Sequence, residues 1–114
     1  MARTLIRRGL IAAAICTAQA AATAPHVLSP ERMRIVAAQT LRAGDTSMAR
    51  IFAKALLKRD SKDTQARLIL AKAEAMDGDT VAAMADAKRA HIDASDDDAK
   101  YYSARQVAHL LHKD

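Results

Sequence analysis

Gly44-Asp45-Thr46 and Gly78-Asp79-Thr80 are the same three residues, set 34 positions apart. The same offset pairs Ile35 with Ile69, Ala37 with Ala71, Ala49 with Ala83, Ala53 with Ala87, Lys54 with Lys88 and Asp63 with Asp97. A shared offset over so much of the chain is the mark of an internal repeat. Each Gly-Asp sits between two stretches with helical spacing of apolar residues. Glycine tolerates the positive φ that ends a helix, and aspartate accepts from the free N–H groups that begin one. Each unit therefore reads as helix, tight turn, helix. With three glycines and two prolines in 114 residues, the chain is poor in the turns an all-β fold needs.

Working outward, Ser29 is the expected cap of the first helix, with Pro30 at its first position. Met33, Val36, Ala37 and Leu41 then recur at helical spacing up to Gly44. Asp45 or Thr46 caps the next helix, whose expected apolar stripe is Met48, Ile51, Phe52, Ala55 and Leu56. Asp60 to Asp63 form a polar turn. The second unit repeats this with Leu68, Ile69, Ala71 and Ala75 before Gly78, and with Val81, Met84, Ala85 and Ala87 after it. A last helix starts near Asp97 or Asp98 and carries Tyr101, Ala104, Val107, Ala108 and Leu111. The expectation is an all-α chain: repeats over 30–63 and 64–97, then a capping helix over 98–112.

The pattern resembles the tetratricopeptide repeat family, over about residues 30 to 112. Val36-Ala37 and Leu70-Ala71 match its large-small pair in the first helix, both Gly-Asp turns match, and Ala49 and Ala83 match its small residue where two helices cross. The usual proline after the second helix is replaced by Ser61 and Ser95, and the early aromatic by Met33 and Arg67, with Tyr101 restoring it in the last helix. The resemblance implies antiparallel helix pairs stacked as a solenoid, with the first helix of each unit lining an inner groove. It points to Arg34, Ala38, Leu41 and Arg42, then Leu68, Lys72, Ala75 and Met76, then Tyr102, Gln106 and His109. Such a mixed basic and apolar surface suits a peptide or helix bearing acids and small apolar groups. Some family members clamp a peptide's C-terminal carboxylate; Arg34 matches one clamp position, while Ala38, Ile69, Ala99 and Ser103 depart from the others.

Residues 1–20 read as an address. Arg3, Arg7 and Arg8 form a basic head, residues 10–15 an apolar core, and Ala18 and Ala20 the small residues a signal peptidase reads. A second cleavage position follows Ala24, leaving 21–29 as linker. The stretch is shorter than the roughly 20 apolar residues of a spanning helix. Arg7-Arg8 resembles a twin-arginine signal, but Ile6 precedes it; Ile15 before Cys16 departs from a lipidation site. The expected location is periplasmic or secreted. The 18 basic and 13 acidic residues give +5, and loss of the leader's three arginines lowers this to +2. Nucleic acid is therefore not an expected partner.

Little points to chemistry. His109 and His112 share a helix face, but no third ligand stands near them in sequence. Asp96-Asp97-Asp98 lacks the alternation, glycine and terminal glutamate of a calcium loop, and reads as a helix start. No phosphate-binding loop or nucleophile motif occurs. The expectation is a non-catalytic protein-binding module without cofactor. Two alternatives stand beside it. The run Ala49 to Arg59, the Gly-Asp-Thr units and Tyr102-Ser103-Ala104-Arg105 are similar to the repeat region preceding the barrel of surface lipoprotein assembly modifiers, which implies a truncated repeat region. The second alternative is a self-associating adaptor, since residues 30–63 carry +4 and residues 64–97 carry −3.

Overall fold

The computed structural model describes residues 28–112. The expected leader, with Ala18 and Ala20, lies outside the described residues, as does the linker up to residue 27. Five helices follow in order: α1 (Pro30–Arg42), α2 (Thr46–Arg59), α3 (Thr64–Met76), α4 (Thr80–Asp93) and α5 (Asp97–His112). The described residues contain no strand. None of these helices is long and apolar enough to cross a membrane.

The helix ends follow the local chemistry of the repeat. Ser29 Oγ accepts from the Arg32 N–H at 3.3 Å, and Pro30 occupies the first turn. Gly44 and Gly78 adopt φ of 83° and 85°. In the first turn, the Gly44 N–H donates to the Leu41 carbonyl and the Asp45 N–H to that of Thr40; Gly78 and Asp79 do the same to Ala75 and Glu74. This is the paired closure that satisfies the last carbonyls of a helix. Asp45, Asp63, Asp79 and Asp96 then cap α2, α3, α4 and α5, each carboxylate accepting from the N–H three residues on. Asp45, rather than Thr46, is the cap of α2.

Connections of three or four residues make consecutive helices run in opposite directions. Each helix packs on its sequence neighbours, and α1 also touches α3, and α3 touches α5. The result is two layers: α1, α3 and α5 run the same way in one, α2 and α4 the other way in the second. One core cluster joins Met33 and Ala37 of α1, Phe52 and Leu56 of α2, and Ala66 of α3; Leu28, Val36 and Ile69 pack against it. The other joins Ala71 of α3, Ala83 and Ala87 of α4, and Leu110 of α5. Ala37, Ala49, Ala71 and Ala83 are fully buried, which places alanine where helices cross and lets their axes approach the short end of the usual 8–10 Å.

The apolar stripes are rotated from those expected. In α2 the buried face is Ala49, Phe52, Ala53 and Leu56, while Met48 and Ile51 are exposed. In α4 it is Ala83, Ala87 and Ala90, while Ala85 is exposed and Val81 is 84% exposed. In α5 the fully buried residues are Ser103 and Leu110, while Tyr101, Ala104, Ala108 and Leu111 face outward. In α2 and α4 the reason is close approach: where a row of alanines competes with a row of larger residues, the crossing selects the alanines. A second reason acts in α5. The turn before α3 spans residues 60–63, and the turn before α5 spans 94–96, one residue shorter. Asp96, not Asp97, is thus the counterpart of Asp63, and the offset falls from 34 to 33.

Candidate groove across the first layer

The face of α1, α3 and α5 away from α2 and α4 encloses a groove of about 710 Å³. Helix α1 contributes Arg34, Ile35, Ala38, Gln39 and Arg42; α3 contributes Gln65, Leu68, Ile69 and Lys72; α5 contributes Tyr102, Arg105, Gln106 and His109. Eight of the eleven residues to which the resemblance points meet here: Arg34, Ala38, Arg42, Leu68, Lys72, Tyr102, Gln106 and His109. Leu41, Ala75 and Met76 do not. Ala75 packs against the second core cluster, and Met76 stands in the last turn of α3, one turn beyond Lys72 where the α3 wall of the groove ends, and is 54% exposed. Gln39, Gln65, Ile35 and Arg105 were not singled out by the sequence. Their signal is adjacency: a groove between helices takes a strip wider than one row spaced by four, so it gathers neighbours such as Ile35 beside Arg34.

Charge is unevenly distributed along the groove. No carboxylate lines it, whereas Arg34, Arg42, Lys72 and Arg105 all do. Arg34 is already engaged: its guanidinium donates to Asp63 Oδ2 from Nε at 3.2 Å and from the terminal nitrogen at 2.9 Å. Among the described residues, no carboxylate lies within ion-pair distance of Arg42, Lys72 or Arg105. Arg42 stands in the last turn of α1, where the helix dipole favours positive charge. The groove runs on into a second hollow of about 640 Å³ that shares Arg34, Gln65, Leu68 and Tyr102 and adds Asp96, Asp97 and Asp98. One end is thus basic, the other acidic, and the floor between them is Leu68 and the Tyr102 ring.

Asp63 ties this surface to the fold. Its Oδ1 caps α3 by accepting from the Ala66 N–H at 3.1 Å, and its Oδ2 holds Arg34. The carboxylate is almost wholly buried. Asp63→Ala removes both bonds and is expected to cost about 2 kcal/mol, the sum of a typical cap and one charge-assisted bond. Asp63→Asn keeps the cap acceptor and is expected to cost about half as much. Thermal melts of the two variants separate the contributions; equal costs would mean that the cap contributes nothing to stability, and an Asp63→Asn variant as stable as the wild type that the Arg34 ion pair contributes nothing.

Other side-chain pairs serve the scaffold. Arg67 reaches Asp86 of α4 at 3.1 Å and the Ser61 carbonyl at 3.0 Å. Asp77 receives Thr46 and Arg50 of α2. His91 Nδ1 lies 3.0 Å from Ser103 Oγ, which donates to the Ala99 carbonyl, so α4 and α5 are joined through a buried hydroxyl. Glu74 is buried beside Asp86, and burial first, then the hydrogen bond and like charge of Asp86, push its carboxyl up to about 8, against the pull of Arg50. It faces α4, not the groove. Among the described residues, no three His, Cys, Asp or Glu side chains converge as metal ligands.

No family model matches the chain, and no curated protein or solved structure is detectably similar to it.

Proposed function

We propose that the protein is a tetratricopeptide-like binding module that takes up an acidic, partly apolar peptide segment of another protein along the groove of α1, α3 and α5, without catalysing a reaction. The observation that carries this is the groove lining itself: three cations without carboxylate partners among the described residues, beside Leu68, Ile69 and Tyr102. Aliphatic or aromatic side chains of a peptide would cover that apolar floor. Its acids would lie toward Arg42, Lys72 and Arg105, and any basic residue toward Asp96 to Asp98. The repeat of helix, Gly-Asp turn and helix supports the family resemblance, and the leader-like residues 1–20 support a periplasmic or secreted setting for the encounter.

Selection from a displayed random peptide library tests this directly. The purified full chain is expected to enrich sequences in which Asp or Glu adjoins Leu, Ile or an aromatic residue. Joint Lys72→Glu and Arg105→Glu changes are expected to weaken a selected peptide about tenfold, since each screened pair is worth up to about 1 kcal/mol and reversal adds repulsion. Added salt should weaken the wild type in the same direction. Enrichment of no sequence class, or binding indifferent both to these changes and to salt, would remove the proposal.

A further inference from the structure

The groove is banded, and its bands follow the repeat. The caps Ser29, Asp63 and Asp96 stand at one level in α1, α3 and α5, so residues equally far beyond them lie side by side. The sixth residues are Ile35, Ile69 and Tyr102, an apolar band beside Leu68. The ninth are Ala38, Lys72 and Arg105, a basic band. One turn further, Arg42 and His109 flank the end of the groove. On the other side of the apolar band, the second residues of α3 and α5 are Gln65 and Asp98, and the hollow continues there past Asp96 and Asp97. Lys62 offsets one of these three carboxylates, and Arg34 and Asp63 are paired with each other. The two hollows share Arg34, Gln65, Leu68 and Tyr102, so the depression is continuous along the axes of α3 and α5. Along it the order is acidic, apolar, then basic.

Building on the groove's uptake of an acidic, partly apolar segment, we infer that this segment binds as an α-helix of about three turns, antiparallel to α3, with acids in its first turns and a base in its last. From the level of Asp98 to that of His109 is about 16 Å at 1.5 Å per residue. An extended segment covers that distance in about five residues. It would lay its backbone N–H and C=O groups on Ile35, Leu68, Ile69 and Tyr102, and the described residues offer no strand to pair with them. A helix satisfies its own backbone and presents one face. Direction follows from charge. The segment's acids belong over Lys72, Arg105 and Arg42, beyond the apolar band toward the C-terminal ends of the groove helices, and its base over Asp97 and Asp98. In an antiparallel helix those acids fall in the first turns and the base in the last, where the helix's own dipole favours each. A parallel helix would carry both at the ends its dipole disfavours. The bands, one turn apart, then fix the spacing on one helix face: acids at the first and fifth positions, an apolar residue at the eighth and a base at the twelfth.

Two twelve-residue peptides test this, blocked at both ends and held helical by a covalent staple on the face away from the groove. One has Glu at its first and fifth positions, Leu at its eighth and Lys at its twelfth, on an alanine and glutamine background. The other carries the same residues in reverse order. By fluorescence anisotropy the full chain is expected to bind the first about tenfold more tightly. Register is read by charge exchange. Joint Lys72→Glu and Arg105→Glu changes should weaken the first peptide about tenfold, and lysine at its fifth position, not glutamate at its twelfth, should offset the loss. Joint Asp97→Lys and Asp98→Lys changes should weaken it about threefold, and glutamate at its twelfth position should offset that loss. All four side chains are exposed, so circular dichroism should show unchanged helix content in both variants. Equal binding of the two peptides, tighter binding of the reversed one, or exchange that works at the wrong position overturns the helix and its direction. So does failure of both peptides while the displayed library still yields acidic, apolar binders, which would leave the binding module itself standing. A library that enriches no sequence class removes both.

Discussion

Truncating Leu56 to Ala is expected to lower the unfolding free energy by about 2–5 kcal/mol. Leu56 is 1% exposed and lies in the cluster of Met33, Ala37, Phe52 and Ala66, where three helices meet. Its neighbours include two alanines, whose side chains are too short to move into the space it leaves. The cost therefore belongs toward the upper part of the range. The effect is large relative to the whole. At roughly 0.05–0.15 kcal/mol per residue, a helical unit of this size holds only several kcal/mol in total. Denaturant titration followed by circular dichroism should show the midpoint falling steeply, with a measurable unfolded fraction before denaturant is added. Leu110→Ala probes the other cluster, with Ala71, Ala83 and Ala87. Because the two clusters share no member, the two costs should add within about 0.5 kcal/mol. A Leu56→Ala cost under about 1 kcal/mol would mean that the first cluster closes over the gap, and that the alanine-rich crossings are looser than the buried areas suggest.

Those crossings also explain which parts of the fold were legible in the sequence. The helix boundaries were, because they depend on groups next to one another in the chain. A glycine at positive φ and an aspartate accepting from the N–H three residues on give the same result wherever they stand. The phase of each helix was harder to read. Alanine is apolar enough to belong to a buried row and small enough to belong to an exposed one, so Ala49 and Ala53 competed on paper with Met48 and Ile51. The decision is tertiary: the partner helix is close, and only the alanines fit. Val81 was misplaced for the same reason. In α5 the constant offset itself misled, since the turn at 94–96 is one residue short and moves the counterpart of Arg67 from Tyr101 to Lys100. The groove was legible where it rests on rows spaced by four within α1 and α3. It was not legible at Arg105, whose inclusion depends on how α5 is rotated, nor at Met76, where the α3 wall has already ended.

Glu74→Gln is expected to change the pH dependence of stability more than any surface substitution. Glu74 projects from α3 toward Asp86 of α4, and Asp86 is held by Arg67 at 3.1 Å. Two carboxyls can share a hydrogen bond only if one carries a proton, and burial of Glu74 favours its neutral, protonated form. One Glu74 oxygen, Oε1, is buried without a partner, which adds to the cost of charging the group. Its carboxyl is thereby raised from 4.5 to about 8 in the folded chain. The sign follows from proton counting. Between pH 4.5 and pH 8 the folded state holds a proton that the unfolded state has released, so stability is full below 4.5 and declines as pH rises through 8. The whole interval would correspond to a ceiling of about 5 kcal/mol, and a group coupled to Asp86 and Arg50 should realise roughly 2–4 kcal/mol of it. Glutamine keeps an N–H donor for Asp86 and removes the titration. The variant should match the wild type at acid pH and exceed it by that amount at alkaline pH. Denaturant melts of both proteins across this range give the difference directly, since every other ionisable group is common to the two. A difference that stays constant with pH would mean that Glu74 is already charged in the folded state, with Arg50 rather than the proton offsetting its burial.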